Sequence, residues 1–178
     1  MKANLEALEN TPIKMLAKYL VTKGVQSGSR LQRLLFICRW VEIVNQQTTN
    51  SVFEPNNNFQ AWINGPVNVE TYYYLRPMFI KIYEKDHYLL SKEQMAPLEA
   101  QYGAIFTKWN VCSDDDFRRI FRTNQAWKQA RQGIRRNQIC TNLIDEQSDA
   151  FLQMDYQAIL QAAQDYAKWI REFYDCCN

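Results

Sequence analysis

The sequence predicts a mainly α, compact helical domain with one small strand or hairpin element and a C-terminal amphipathic helix. Three observations lead there. Apolar residues recur at three- and four-residue spacing over most of the chain, and cap signals such as Thr11-Pro12 and Ser113 stand before those runs. Only Phe59–Asn64 alternates cleanly, and it stops at Gly65-Pro66. A chain of 178 residues, 47% hydrophobic and 13% aromatic, can bury the core of one domain.

The first helix begins at Thr11-Pro12, because Thr caps orphan amides and Pro at the first helical position forfeits no hydrogen bond. Ile13, Leu16, Ala17, Leu20 and Val21 give it one apolar stripe, and Gly24 can cap its end. Ser27 or Ser29 opens a second helix. There Leu31, Leu34, Leu35 and Cys38 form one face, while Phe36, Ile37, Trp40, Ile43 and Val44 cover most of another. A helix apolar nearly all round is expected to be central and buried.

Residues 45–58 read as a polar loop. In the extended stretch that follows, Phe59, Ala61 and Ile63 share one face, and Trp62 on the other is either core or a presented contact. Gly65 can take a positive φ, and Pro66 fixes its own φ and biases Gly65 away from the right-handed helical region, so the chain must turn. A helix is expected over residues 69–76, with Pro77 kinking it or beginning a new segment. Met78–Leu90 alternates irregularly and could hold a short strand or hairpin.

Ser91 with Gln94 resembles a capping box, and Leu98, Tyr102, Ile105, Phe106 and Trp109 trace a helical face, with Pro97 arguing for a later helix start. Ser113 caps the next helix, where Asp114, Asp115 and Asp116 favour the positive end of the dipole and Phe117, Ile120 and Phe121 supply the buried side. Residues 124–132 carry Trp127, Lys128 and Arg131, and Gly133 ends that segment. Residues 135–148 show no regular pattern. Asp155 caps a final helix with Ile159, Ala163, Tyr166, Ile170 and Tyr174 on one side, expected to pack on the same domain. The division is therefore residues 1–152 as a helical domain and 153–178 as the C-terminal helix.

Composition excludes several function classes. With 21 Lys plus Arg against 19 Asp plus Glu, a net charge of +2 does not recruit nucleic acid or an anionic membrane in bulk. Five cysteines without paired metal-ligand spacing indicate reduced thiols, and neither a signal-type leader nor a membrane-spanning run is visible, so a cytoplasmic location is expected. One histidine, His87, rules out a multi-histidine metal site and reads as a surface residue in a polar turn. No phosphate-binding glycine motif or nucleophile elbow occurs, so neither a cofactor nor an enzymatic role is expected. The densest basic region, Arg118 to Arg136 with Phe121 and Trp127 interleaved, could meet phosphates or an acidic protein.

Taken together, Ser29-Arg30-Leu31-Gln32-Arg33-Leu34-Leu35-Phe36, Ala61-Trp62-Ile63-Asn64-Gly65-Pro66-Val67 and Ala126-Trp127-Lys128-Gln129-Ala130-Arg131 resemble the Panacea domain family. That family, with its SocA-like and GepA-like phage-associated members, pairs a KLQKLLYF helix with an AWxxGPV turn and a late PWKxAR element. The likeness runs over residues 11–152. It implies a mostly helical domain with minor strand content, acting as an antitoxin that binds its cognate toxin directly, with handover to a protease in some relatives. Two departures stand out: the family's histidine before the late Trp is replaced near Asn124, and its proline by Ala126. Any proton-transfer role attached to that histidine does not carry over. The expectation is a non-enzymatic protein-binding module, with Trp62, Gly65, Pro66, Trp127, Lys128 and Arg131 at the partner surface. The alternative is a nucleic-acid-binding regulator using Arg118 to Arg136.

Overall fold

A computed structural model describes residues 10–44, 51–53, 59–80 and 86–132, apart from the side chains of Val44, Arg122 and Thr123. Among them are six α-helices and one two-stranded antiparallel hairpin. The order is α1 (Pro12–Thr22), α2 (Gly28–Val44), β1 (Phe59–Trp62), β2 (Gly65–Asn68), α3 (Val69–Ile80), α4 (Lys92–Trp109), α5 (Asp114–Thr123) and α6 (Gln125–Ala130). The expected mainly helical class with a small hairpin is what forms. The final helix, the Arg135–Ser148 stretch and most of the polar loop lie outside the described residues.

Helix α2 is the centre of the molecule, packed against α1, α3, α4 and β2. Every residue from Leu31 to Trp40 is buried, as its all-round apolar pattern predicts. Phe36 gathers the aromatic core, with ring centroids 5.0 Å from Phe59, 5.1 Å from Trp40 and 5.7 Å from Phe121. Edge-to-face and tilted arrangements of this kind suit the ring quadrupoles and add to the burial energy.

Helix ends follow local chemistry. Gly24 takes φ +99°, letting its amide donate to the Val21 carbonyl and the Val25 amide to the Leu20 carbonyl, the paired bonds of a Schellman cap. Ser91–Gln94 and Ser113–Asp116 both close reciprocal capping boxes. The Arg30 amide donates to Ser27 Oγ at 3.4 Å, so Ser27 rather than Ser29 opens α2. Thr11 marks the start of α1 without capping it, because its hydroxyl instead donates to Glu70 Oε1 of α3 at 2.7 Å.

Pro97 does not delay its helix, and Pro77 does not begin a new segment. Helix α3 runs through Pro77 to Ile80, and α4 begins at Lys92 with Pro97 inside it. Each proline removes the amide that would bond to the carbonyl four residues before it, on Tyr73 or Glu93, and both of those residues are exposed. Of the stretch Met78–Leu90, Met78–Ile80 belong to α3 and Asp86–Tyr88 form a single 3₁₀ turn, while residues 81–85 lie outside the described residues. Between the Gly65-Pro66 turn and α3 the chain forms a strand. Strand β2 intervenes, since Gly65–Asn68 folds back on β1 in the register Phe59↔Asn68, Gln60↔Val67, Ala61↔Pro66 and Trp62↔Gly65.

Candidate functional site

The hairpin is held by short polar contacts from three helices. Bonded and non-bonded residue pairs alternate along an antiparallel ladder. The Ala61 carbonyl accepts from Arg131 Nη1 at 2.7 Å, and the Asn68 amide donates to Gln32 Oε1 at 2.8 Å. Both groups therefore point away from the ladder, which identifies Ala61↔Pro66 and Phe59↔Asn68 as the non-bonded pairs. Pro66, which has no N–H, costs the ladder nothing there. Gly65 holds φ +124° beside the Phe121 ring and lets the turn close.

Helix α6 fastens the outer strand. Asn124 caps it, its Oδ1 accepting from the Trp127 amide at 2.8 Å. The Trp127 indole then donates to the Trp62 carbonyl at 2.8 Å, and the Arg131 guanidinium lies 5.4 Å over the Trp127 ring while reaching Ala61. On the inner strand, Asn68 caps α3 through its Oδ1, which accepts from the Thr71 amide at 2.9 Å. The Gln32 amide also donates to Thr71 Oγ1 at 3.0 Å, so one buried side chain ties α2 to both the strand and the helix cap.

Between the N-terminal half of α2, the hairpin turn and α3 lies an open cavity of about 420 Å³. Trp62, Ile63, Pro66, Tyr72, Phe79 and Ile80 make its apolar walls. Gly28 lets the Phe79 ring approach, since a Cβ there would stand 3.3 Å from it. Trp62 meets Tyr72 edge to face at 4.8 Å and donates from its indole to Gln60 Oε1 at 2.6 Å. Ile80 is 66% exposed at the rim, where an aliphatic side chain gains nothing from water.

Two cations, Arg33 and Arg76, line this cavity, and no carboxylate does so among the described residues. Arg33 is only 3% exposed. Its Nη1 lies 3.2 Å from Asp114 Oδ1 and its Nη2 donates to the Asn64 carbonyl at 3.5 Å, but its Nε–H has no acceptor. Burial, helped by the neighbouring Arg118 and Arg30 cations, lowers the Arg33 pKa from its ordinary value, against the opposing pull of Asp114. Arg30 shares Asp114 at 3.5 Å and donates to the Cys112 carbonyl at 3.0 Å, so these two arginines also hold the α4–α5 connection.

The structure brings five of the six sequence-predicted site residues around the hairpin and leaves one outside. Trp62 and Pro66 line the cavity, whereas Gly65 and Trp127 line a much smaller hollow beside it. Arg131 is 8% exposed and committed to Ala61, and Lys128 faces solvent on α6. Trp62 is half-buried, part core and part wall. Sequence reasoning missed Arg33, Tyr72, Phe79 and Ile80 as cavity residues. Two signals bear on them: charged residues, Arg33 among them, inside a largely apolar helix, and apolar residues continuing past Pro77.

Other chemistry lies elsewhere. Burial pushes the Cys38 thiol well above its ordinary pKa, which keeps it protonated and poorly nucleophilic, and burial also raises that of Cys112. His87 is exposed in its turn, with its ring edge-on to Tyr88 at 5.2 Å. Arg118, in the basic region, pairs with Asp115 at 2.7 Å. Among the described residues no group of His, Cys, Asp or Glu could hold a metal ion, and no helix is long and apolar enough to cross a membrane. Comparison with protein-family models, curated proteins and solved structures finds no match.

Proposed function

We propose that this chain is a non-enzymatic protein-binding module, similar in role to a toxin-neutralising antitoxin, which holds a partner protein in the cavity between α2, the hairpin turn and α3. The observation that carries the reading is the pairing of an open apolar cavity with an exposed Ile80 at its rim. Aromatic side chains such as Trp62 and Tyr72 suit this use, because large rigid groups beside a desolvated pocket dominate interface energetics. Trp127 and Arg131 then serve from behind, fixing the hairpin that presents Trp62. The partner resembling a cognate toxin, the protease handover and the cytoplasmic setting follow from the family likeness and belong to the same proposal.

Affinity capture with the full chain tests it, comparing wild type, Ile80→Asp in the cavity rim and Ala104→Asp on the exposed face of α4, each checked for native helicity. One stoichiometric protein retained by wild type and Ala104→Asp but lost with Ile80→Asp supports the module. A partner held equally by all three, or nucleic acid that elutes steeply with salt, sinks it.

A further inference from the structure

We infer that the cavity selects an acidic, apolar peptide segment of its partner: a carboxylate meeting Arg33 and Arg76, followed by a large apolar side chain against Trp62, Tyr72 and Phe79. The inference rests on the protein-binding reading above and adds the chemistry of the bound segment. Three observations carry it.

The charge of the site is one-sided. Its lining offers two guanidinium groups and no carboxylate among the described residues, and Asp114, outside that lining, is shared between Arg30 and Arg33. An anionic group is thus the complement that the site lacks. Next, Arg33 is almost fully buried yet keeps an Nε–H without an acceptor. That Nε is closed to solvent, so what Arg33 offers an incoming carboxylate is a fixed positive charge rather than a free donor. Arg76, exposed on the outer turn of α3, supplies a second cation at the rim.

The walls decide what accompanies the charge. Trp62, Ile63, Tyr72, Phe79 and Ile80 offer apolar and aromatic surface in a volume of about 420 Å³, room for a small number of side chains rather than a folded surface. A nucleic-acid strand fits less well. Strand binding needs a continuous basic track, and beyond Arg33 and Arg76 the lining is mostly uncharged.

The test measures fluorescence polarisation of short labelled peptides against the full chain. One peptide alternates Leu and Phe with Glu, a second replaces Glu by Lys, a third replaces Leu and Phe by Ser, and an oligothymidylate is the fourth probe. Variants are Arg76→Glu, which leaves the core untouched, and Arg33→Met, which is used only where its circular dichroism matches wild type. The expected result is binding of the first peptide alone, weakened about tenfold or more by Arg76→Glu. Equal binding of the Glu and Lys peptides, or indifference to Arg76→Glu, overturns the inference while leaving an apolar protein-binding cavity in place. Binding of oligothymidylate alone, or of no peptide, overturns both.

Discussion

The Trp127 indole donates to the Trp62 carbonyl at 2.8 Å, joining the last described helix to the hairpin across 65 residues of sequence. One turn further along α6, Arg131 makes the adjoining bond to Ala61 at 2.7 Å. Two consecutive carbonyls of β1 are thereby satisfied by two side chains spaced i, i+4, which a helix places on one face. The position of the Trp62 ring depends on this clamp.

Removing the guanidinium leaves a buried acceptor without a donor. Arg131→Ala should cost about 2–3 kcal/mol in urea denaturation, and Trp127→Phe, which keeps the ring but loses the N–H, about 1 kcal/mol. Because both residues hold one strand, the double variant should deviate from additivity. An Arg131→Ala loss below about 0.5 kcal/mol would mean that the clamp contributes little.

At Gly65 the backbone, not crowding, sets the tolerance. A Cβ would meet Phe121 at an ordinary 3.6 Å, but φ +124° is a region that L side chains rarely adopt. Gly65→Ala should destabilise by about 1–3 kcal/mol, seen as a lowered thermal midpoint with unchanged far-UV circular dichroism. An unchanged midpoint would show that the turn relaxes into another conformation.

Gln32 is a polar residue doing the work of a strand partner. In Gln32→Met the volume is nearly kept, but the buried Asn68 amide loses its acceptor and Thr71 Oγ1 its donor. The expected loss is about 2 kcal/mol. Hydrogen exchange gives the sharper readout: the Asn68 amide should exchange faster than in wild type, and equal protection would contradict the assignment.

Acid sensitivity should come in part from Glu99. Its carboxylate accepts from the Tyr19 hydroxyl at 2.8 Å and from the Lys23 ammonium at 3.0 Å, and those bonds lower its pKa from the ordinary value of 4.5. For a carboxyl with a depressed folded pKa, the stabilisation is complete above the unfolded value and disappears as pH falls through the folded one. Wild type should therefore lose stability as the pH drops below about 4.5, and Glu99→Gln should lose less. Parallel pH curves for the two proteins would rule Glu99 out as a source.

The sequence alone determined the helical frame. The stripe from Ile13 to Val21, the second helix apolar nearly all round, the Ser91 box and the Ser113 cap are local signals, each a matter of 3.6-residue periodicity or of a cap within four residues. Gly65-Pro66 likewise announced a turn, because its constraint is written into two residues. Pro97 misled, because the cost of an interior proline depends on whether the freed carbonyl finds another partner, which is a property of the assembled fold. Only the tertiary structure decided that Gly65–Asn68 is a strand, since a ladder needs its partner, and that Arg131 is a brace while Arg33 faces a cavity. Both are arginines near apolar residues in the sequence. Their difference lies in which acceptors the packed chain brings within hydrogen-bond reach: Ala61 accepts from Arg131 in one case, and in the other the Nε–H of Arg33 is left without an acceptor.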